Sequence, residues 1–292
     1  MIVAQGNILM KKIFLLIFFS ILQYSYAQVT VVEDSLYSSS LFSTMKCYVV
    51  LPDGYSKTEE RYTSIYLLHG FNGDYTNWIK QSDLIRYAKK YNYLFISIDA
   101  RNSWYTNSTA FPSAKYEDYV IKDILPFIDT KYRTIQSKFN RAIIGFSMGG
   151  YGATKFAIKY PAKFFFAGCL SPSIAFPFGL EDSAIIARRS KESNLSVRNA
   201  FGAKRNNEWY NNDVFILADK IDPKIAPFFY LAFGSQDGIP EIIDLTPKFA
   251  DVLRRRGIEF ELHETAGAHD WKFWDREFEI VLHRLLEKLG KK

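Results

Sequence analysis

The segment Gly145-Phe146-Ser147-Met148-Gly149 carries the strongest chemical signal in the chain. Gly-x-Ser-x-Gly sets a serine on a tight turn from strand to helix, with glycines where the backbone must pass closely. The context fits that geometry, because apolar Arg141–Phe146 precedes the motif and an Ala-rich helical stretch, Met148–Tyr160, follows it. A serine hydroxyl attacks a carbonyl only when a base takes its proton. In the chain order Ser, acid, His that goes with this turn, both partners follow the serine.

Of the four histidines, His69 precedes the serine, His263 falls in a strand pattern and His283 in the last helix. His269 lies in a loop of small residues, Ala266-Gly267-Ala268-His269-Asp270, and is read as the base, with His263 as its rival. Asp237 ends the apolar run Phe229–Phe233 in a turn and is read as the acid, the alternative being an ordinary turn aspartate or a cap for the next helix. Asp244, inside that helix, and Asp270, beside the histidine, are less suitable. Acyl transfer also needs donors for a developing oxyanion. The N–H of Met148 and the N–H of Phe71, in the Gly-rich turn His69-Gly70-Phe71-Asn72-Gly73, are the candidates. His69 is grouped with the substrate-binding residues as the side chain that holds this turn, not as a proton carrier.

These residues must be positioned by a scaffold. Apolar runs at Val29–Val32 and Met45–Leu51 predict an N-terminal antiparallel hairpin. Strands are then expected at 64–68, 93–98, 141–146, 164–170, 228–233 and 258–263. Helices are expected at 78–91, 116–132, 148–160, 240–256 and 271–289. That alternation predicts an α/β fold with a mostly parallel central sheet, right-handed crossovers and flanking helices. Residues 171–227 are too long for a simple connection and are expected to form a lid-like insertion.

The composition, 48 % hydrophobic and 23 % charged over 292 residues, fits one large globular domain over 28–292. The net charge is +6, but no basic tract interleaves with aromatics, so nucleic acid is not an expected partner. Residues 1–27 read as an export signal. Lys11 and Lys12 precede the apolar run Ile13–Leu22, and Ser25-Tyr26-Ala27 supplies a small residue for cleavage. The run is too short to span a bilayer, so secretion or periplasmic release is expected instead of stable membrane insertion. Cys47 and Cys169 each fall in a strand pattern, which favours buried free thiols over a disulfide. No His/Cys cluster has metal-ligand spacing, and no metal or cofactor is expected. Nothing in the sequence specifies an oligomeric state.

Taken together, Tyr66-Leu67-Leu68-His69-Gly70, Asn77-Trp78, Asn102-Ser103-Trp104-Tyr105-Thr106, Gly145 to Ala153, Gly234-Ser235-Gln236-Asp237 and Gly267 to Trp271 with Trp274 form a joint pattern. It resembles the esterase D and tributyrin-esterase group of α/β-hydrolases, which takes in feruloyl and acetylxylan esterases and antigen 85-type mycolyltransferases. The resemblance covers about residues 45–288. It implies the α/β-hydrolase fold, a Ser147–Asp237–His269 triad, an oxyanion hole from Phe71 and Met148, and Trp104 and Tyr105 bordering the substrate pocket. The expected activity is hydrolysis of a small-molecule or polysaccharide ester, acetyl or feruloyl esters of carbohydrates and short-chain esters being the leading classes. Acyl transfer to a sugar hydroxyl, thioester hydrolysis and a non-catalytic carbohydrate-binding module are the competing readings; a complete triad argues against the last.

Overall fold

The computed structural model of the protein describes residues 29–290. The leader expected over residues 1–27 lies outside them.

Eight strands form one sheet in the order β1-β2-β4-β3-β5-β6-β7-β8. The hairpin β1 (Thr30–Ser38) and β2 (Ser43–Leu51) is longer than its apolar runs implied, and it joins β4 (Tyr93–Ile98) antiparallel. All other neighbours are parallel: β3 (Thr63–Leu68), β5 (Arg141–Phe146), β6 (Phe166–Leu170), β7 (Phe228–Gly234) and β8 (Phe260–Thr265). Every residue of β3 to β7 is buried. Helices cover both faces of such strands, which therefore read as continuous apolar runs. β8, at the sheet edge, is only half-buried and begins two residues later than its apolar pattern predicts.

The expected helix at 78–91 is two helices, α1 (Asn77–Gln81) and α2 (Leu84–Lys90). Ser82 turns its hydroxyl onto the Trp78 carbonyl, and the Asp83 N–H leaves the helix to reach the Asp275 carboxylate at 2.9 Å. Both bonds compete with helix continuation. Tyr116–Asp118, the π turn Tyr119–Ile124 and Leu125–Lys131 run on as α3. The helix after the serine is α4 (Met148–Lys159), buried along nearly its whole length.

Residues 171–227 build a helical cap: α5 (Ser183–Arg188), α6 (Lys191–Phe201), α7 (Asn207–Asn212) and α8 (Val214–Lys220). Phe176, Val197, Phe201 and Trp209 anchor it, all buried in the same core as α4. All four of its helices start on side-chain caps, from Asp182, Ser190, Asn206 and Asp213. The remaining long helices are α9 (Pro240–Arg256) and α10 (Trp271–Lys288).

A buried ionic knot ties α4 to α3 and to the loop that follows β4. The Lys155 ammonium on α4 donates to the Tyr105 carbonyl at 2.6 Å, Thr106 Oγ1 at 2.7 Å and Glu117 Oε2 at 2.8 Å. Glu117 Oε1 also accepts from Lys159 and from the Tyr160 hydroxyl, each at 2.6 Å. Burial and the neighbouring Lys159 press Lys155 down to about 8, against the attraction of Glu117. Burial alone would raise Glu117, but the two lysines hold it at about 2. A carboxyl whose folded value lies below its unfolded 4.5 contributes stability above that value and loses it as pH falls toward 2. Glu117→Gln strands the Lys155 charge, and a loss of about 3–5 kcal/mol is expected, read as a lowered urea midpoint at pH 7. The variant's stability should also fall less steeply than wild type between about pH 4.5 and pH 2.

Candidate active site

The two glycines of the motif act through close approach. A Cβ on Gly145 would collide with the Gly149 carbonyl, and one on Gly149 would collide with the backbone of Leu68 and His69 at the end of β3. That contact lets α4 start directly behind the sheet, and Ser147 takes φ 56°, ψ −120° between strand and helix. A non-glycine residue with positive φ is strained and holds only where its surroundings dictate it. Here the Ser147 N–H donates to the Leu170 carbonyl at 2.9 Å, and its carbonyl accepts from Tyr151 at 3.0 Å and Ser173 at 3.1 Å. Gly149→Ala would push α4 off β3, since neither opposing group is a flexible side chain. The expected cost is about 3 kcal/mol or more, together with loss of ester turnover, measured as a drop in urea midpoint and in kcat.

The loops after β7 and β8 meet the serine. His269 Nε2 lies 2.9 Å from Ser147 Oγ, and His269 Nδ1 lies 2.8 Å from Asp237 Oδ2. The Asp237 side chain is fully buried, and its Oδ1 accepts the Ile239 N–H at 2.9 Å. With Nδ1–H donated to a carboxylate, Nε2 keeps the lone pair that a hydroxyl proton needs. Gln236 stitches the two loops together: its N–H donates to the Gly267 carbonyl at 2.9 Å, and its Oε1 accepts the Gly267 N–H at 2.7 Å. Trp274 supports the imidazole edge-on at 4.9 Å and stacks on Phe146 at 4.3 Å, while its Nε1 donates to Ser171 Oγ at 3.2 Å.

The rival residues are engaged elsewhere. His263, on β8, stacks on Tyr230 at 4.5 Å and faces Glu261. His283 is an exposed residue of α10 beside Glu287. Asp270 caps α10 by accepting the Phe273 N–H, and Asp244 lies within α9.

Ser147, His269, Phe71, Met148 and Trp104 all line a single cavity of about 340 Å³. Met148 is the first residue of α4, where N–H groups have no intrahelical acceptor. Phe71 sits in a turn closed by Gly73 N–H to the Gly70 carbonyl at 3.1 Å. Asn72 and Asn102 clasp that turn reciprocally, at 2.7 and 2.8 Å.

Two expected substrate-binding residues do not reach the cavity. His69 is wholly buried; it accepts the Ala100 N–H on Nε2 at 3.0 Å, which leaves Nδ1–H to donate to the Gly70 carbonyl at 2.8 Å. Both ring nitrogens are therefore spent on the backbone. Tyr105 is also wholly buried, donating its hydroxyl to the His69 carbonyl at 2.9 Å. Trp104 and Tyr105 are consecutive residues with positive φ, 55° and 53°. Trp104 meets the cavity, whereas Tyr105 packs behind it against Gly152.

The cavity also takes residues that sequence reading passed over: Ser173, Arg188, Arg189, Ser190 and Ser193 from the cap, and Ile239 to Glu241 at the start of α9. The pair Arg188-Arg189 before the capping Ser190 was the one available signal. Cys47 and Cys169 are buried free thiols on β2 and β6, both pushed up to about 12 by burial, and so are inert. Among the described residues, no cluster of His, Cys, Asp or Glu could hold a metal ion, and no helix is long and apolar enough to cross a membrane.

A family model described as "Putative esterase" matches residues 38–285. The chain belongs to this esterase family. The esterase is similar to an acetyl esterase of Caldicellulosiruptor saccharolyticus, 25 % identical over 74 % of this chain and 80 % of that one. It is 28 % identical to Esterase MT1326 of Mycobacterium tuberculosis over 76 % of this chain, but spans only 51 % of that protein's length. Its fold matches FphF, a fluorophosphonate-binding serine hydrolase of Staphylococcus aureus, with TM-score 0.77 at 22 % identity over 89 % of this chain and 99 % of the other. The protein is a carboxylic-ester hydrolase of the α/β-hydrolase fold.

Proposed function

We propose that this esterase is exported and works through an acyl-enzyme on Ser147, with His269 as general base and Asp237 as the carboxylate that orients it. The observation that carries the reading is the continuous hydrogen-bonded line from Ser147 through His269 to Asp237, opening on a cavity. His269 Nε2 takes the hydroxyl proton as Ser147 Oγ attacks the ester carbonyl. The negative charge that develops on the carbonyl oxygen is met by the N–H groups of Phe71 and Met148. The Ser147 N–H is committed to Leu170, so it is not one of these donors. The tetrahedral intermediate collapses, the alkoxide leaves with the proton from His269, and water deprotonated by the same imidazole releases the acid and restores Ser147.

The substrate classes favoured are acetyl or feruloyl esters of carbohydrates and other short-chain esters. The similarity to an acetyl esterase supports a small acyl group. A cavity of about 340 Å³, near the lower end for small-molecule sites, also supports one. The test is release of acetate and ferulate from acetylated and feruloylated xylan, beside 4-nitrophenyl acetate and butyrate. Cleavage of a polysaccharide ester by wild type and not by Ser147→Ala supports the carbohydrate reading. Turnover of the small esters alone leaves a general short-chain esterase, and no turnover of any ester overturns the proposal. Export is tested by N-terminal sequencing of the protein recovered outside the cytoplasm, expected to begin at Gln28.

A further inference from the structure

Four ionisable side chains line the cavity: Arg188, Arg189, Glu241 and His269. Two of them cancel, because Arg188 is salt-bridged to Glu241, with its Nε 3.2 Å from Oε1. His269 is committed to Ser147 and Asp237. Arg189 alone has no ion-pair partner among the described residues. Its guanidinium lies over the Phe176 ring at 4.6 Å and the Trp104 ring at 5.5 Å. Nε and one Nη share the hydroxyl of Ser193, at 3.0 and 2.6 Å, and the other Nη has no hydrogen bond among the described residues.

Burial pushes Arg189 down to about 10, partly offset by Glu241, so the charge persists at neutral pH. A half-buried guanidinium held by two rings and a neutral hydroxyl lacks the counter-charge that normally balances its desolvation. Its planar fork is pre-oriented by the rings and matches a carboxylate.

We propose that Arg189 determines specificity by binding a carboxylate carried by the ester substrate, so that this esterase prefers esters bearing an acid group. The inference rests on the ester-hydrolase reading of the same cavity. The carboxylate can belong to the acyl half, as in a half-ester of a dicarboxylic acid, or to the alcohol half, as in an acylated hydroxy acid.

Two substrate pairs separate those sources. The acyl arm compares 4-nitrophenyl hemisuccinate with its methyl succinate counterpart, following nitrophenolate. The alcohol arm compares 4-acetoxybenzoate with 4-acetoxybenzamide, following acetate. The readout is the ratio of kcat/KM for the acid to that for its neutral partner. Wild type is expected to favour the acid in one arm, and Arg189→Gln to lower that ratio by about 10–100-fold, chiefly through KM, as for a lost hydrogen bond to a charged group. Arg189→Lys should fall between the two, and added salt should reduce the wild-type preference.

Benzoate against benzamide binding, by calorimetry on the unreacted protein, gives a measure independent of turnover. Tighter benzoate binding that is lost in Arg189→Gln upholds the inference even if no ester is cleaved, in which case only the proposed function falls. A wild-type ratio near one in both arms with no benzoate preference overturns it. So does an Arg189→Gln variant that slows acid and neutral esters equally, which would make Arg189 a prop for Trp104 and Phe176. Labelling of Ser147 by a fluorophosphonate in that protein would show that the esterase reading survives.

Discussion

Ser147→Ala is expected to lower kcat by about 10⁵–10⁶-fold on any ester the wild type cleaves. Among the described residues the hydroxyl removed hydrogen-bonds only to His269 at 2.9 Å and Ser173 at 3.5 Å, so folding should be almost unaffected. The strained turn around it is held by backbone bonds to Leu170, Tyr151 and Ser173 that alanine retains. Thermal unfolding within about 1 kcal/mol of wild type, beside the lost burst of product, would assign the effect to chemistry. His269→Ala should cost about as much, and the double variant little more, because the two act as one unit. A Ser147→Ala protein retaining more than about one per cent of activity would mean that acyl transfer does not pass through this hydroxyl.

Asp237→Asn is expected to cost about 10⁴-fold in kcat with the loop geometry kept. The reason lies in the second oxygen. Asp237 Oδ1 accepts the Ile239 N–H, and an asparagine carbonyl would stay in that bond. Its NH₂ would then face His269 Nδ1, where the carboxylate now accepts at 2.8 Å. An amide donor there forces the imidazole proton onto Nε2, the tautomer that cannot take a proton from Ser147. Nitrogen chemical shifts of His269 should report the exchange of tautomers, and kcat should recover little with pH. A variant within about tenfold of wild type would show that the acid does not set the tautomer.

How much of this was legible in the sequence follows from how local each signal is. Ser147, Asp237 and His269 each sit beside glycines or small residues after a strand, and strand ends are what a parallel sheet brings together. The direction of Trp104 and Tyr105 was not legible. Two successive aromatic residues with positive φ send one ring to the cavity and the other into the core, and neither propensity nor periodicity encodes that choice. His69 holds its turn as the sequence reading expected, but with both nitrogens on the backbone it is not a substrate-binding residue. The break at Ser82-Asp83 and the late start of β8 came from tertiary partners, Asp275 in one case and a half-exposed sheet edge in the other. Arg189 was missed because it lies in the link between α5 and α6, where no periodicity says which way a side chain turns.

The cavity's two halves come from different stretches of chain. Sheet-end loops and the helix starts that follow them supply Ser147, His269, the turn at Phe71, Trp104 and Gly238 to Glu241, while the cap supplies Ser173, Arg188, Arg189, Ser190 and Ser193. Such a division is modular: the cap is one continuous segment, entered after β6 and left before β7. A lineage could therefore exchange selectivity without disturbing the inherited reaction, provided each new cap keeps the plugs at Phe176, Val197, Phe201 and Trp209 that seat it on α4. Drift in this family should then concentrate between those four plugs and spare the plugs themselves.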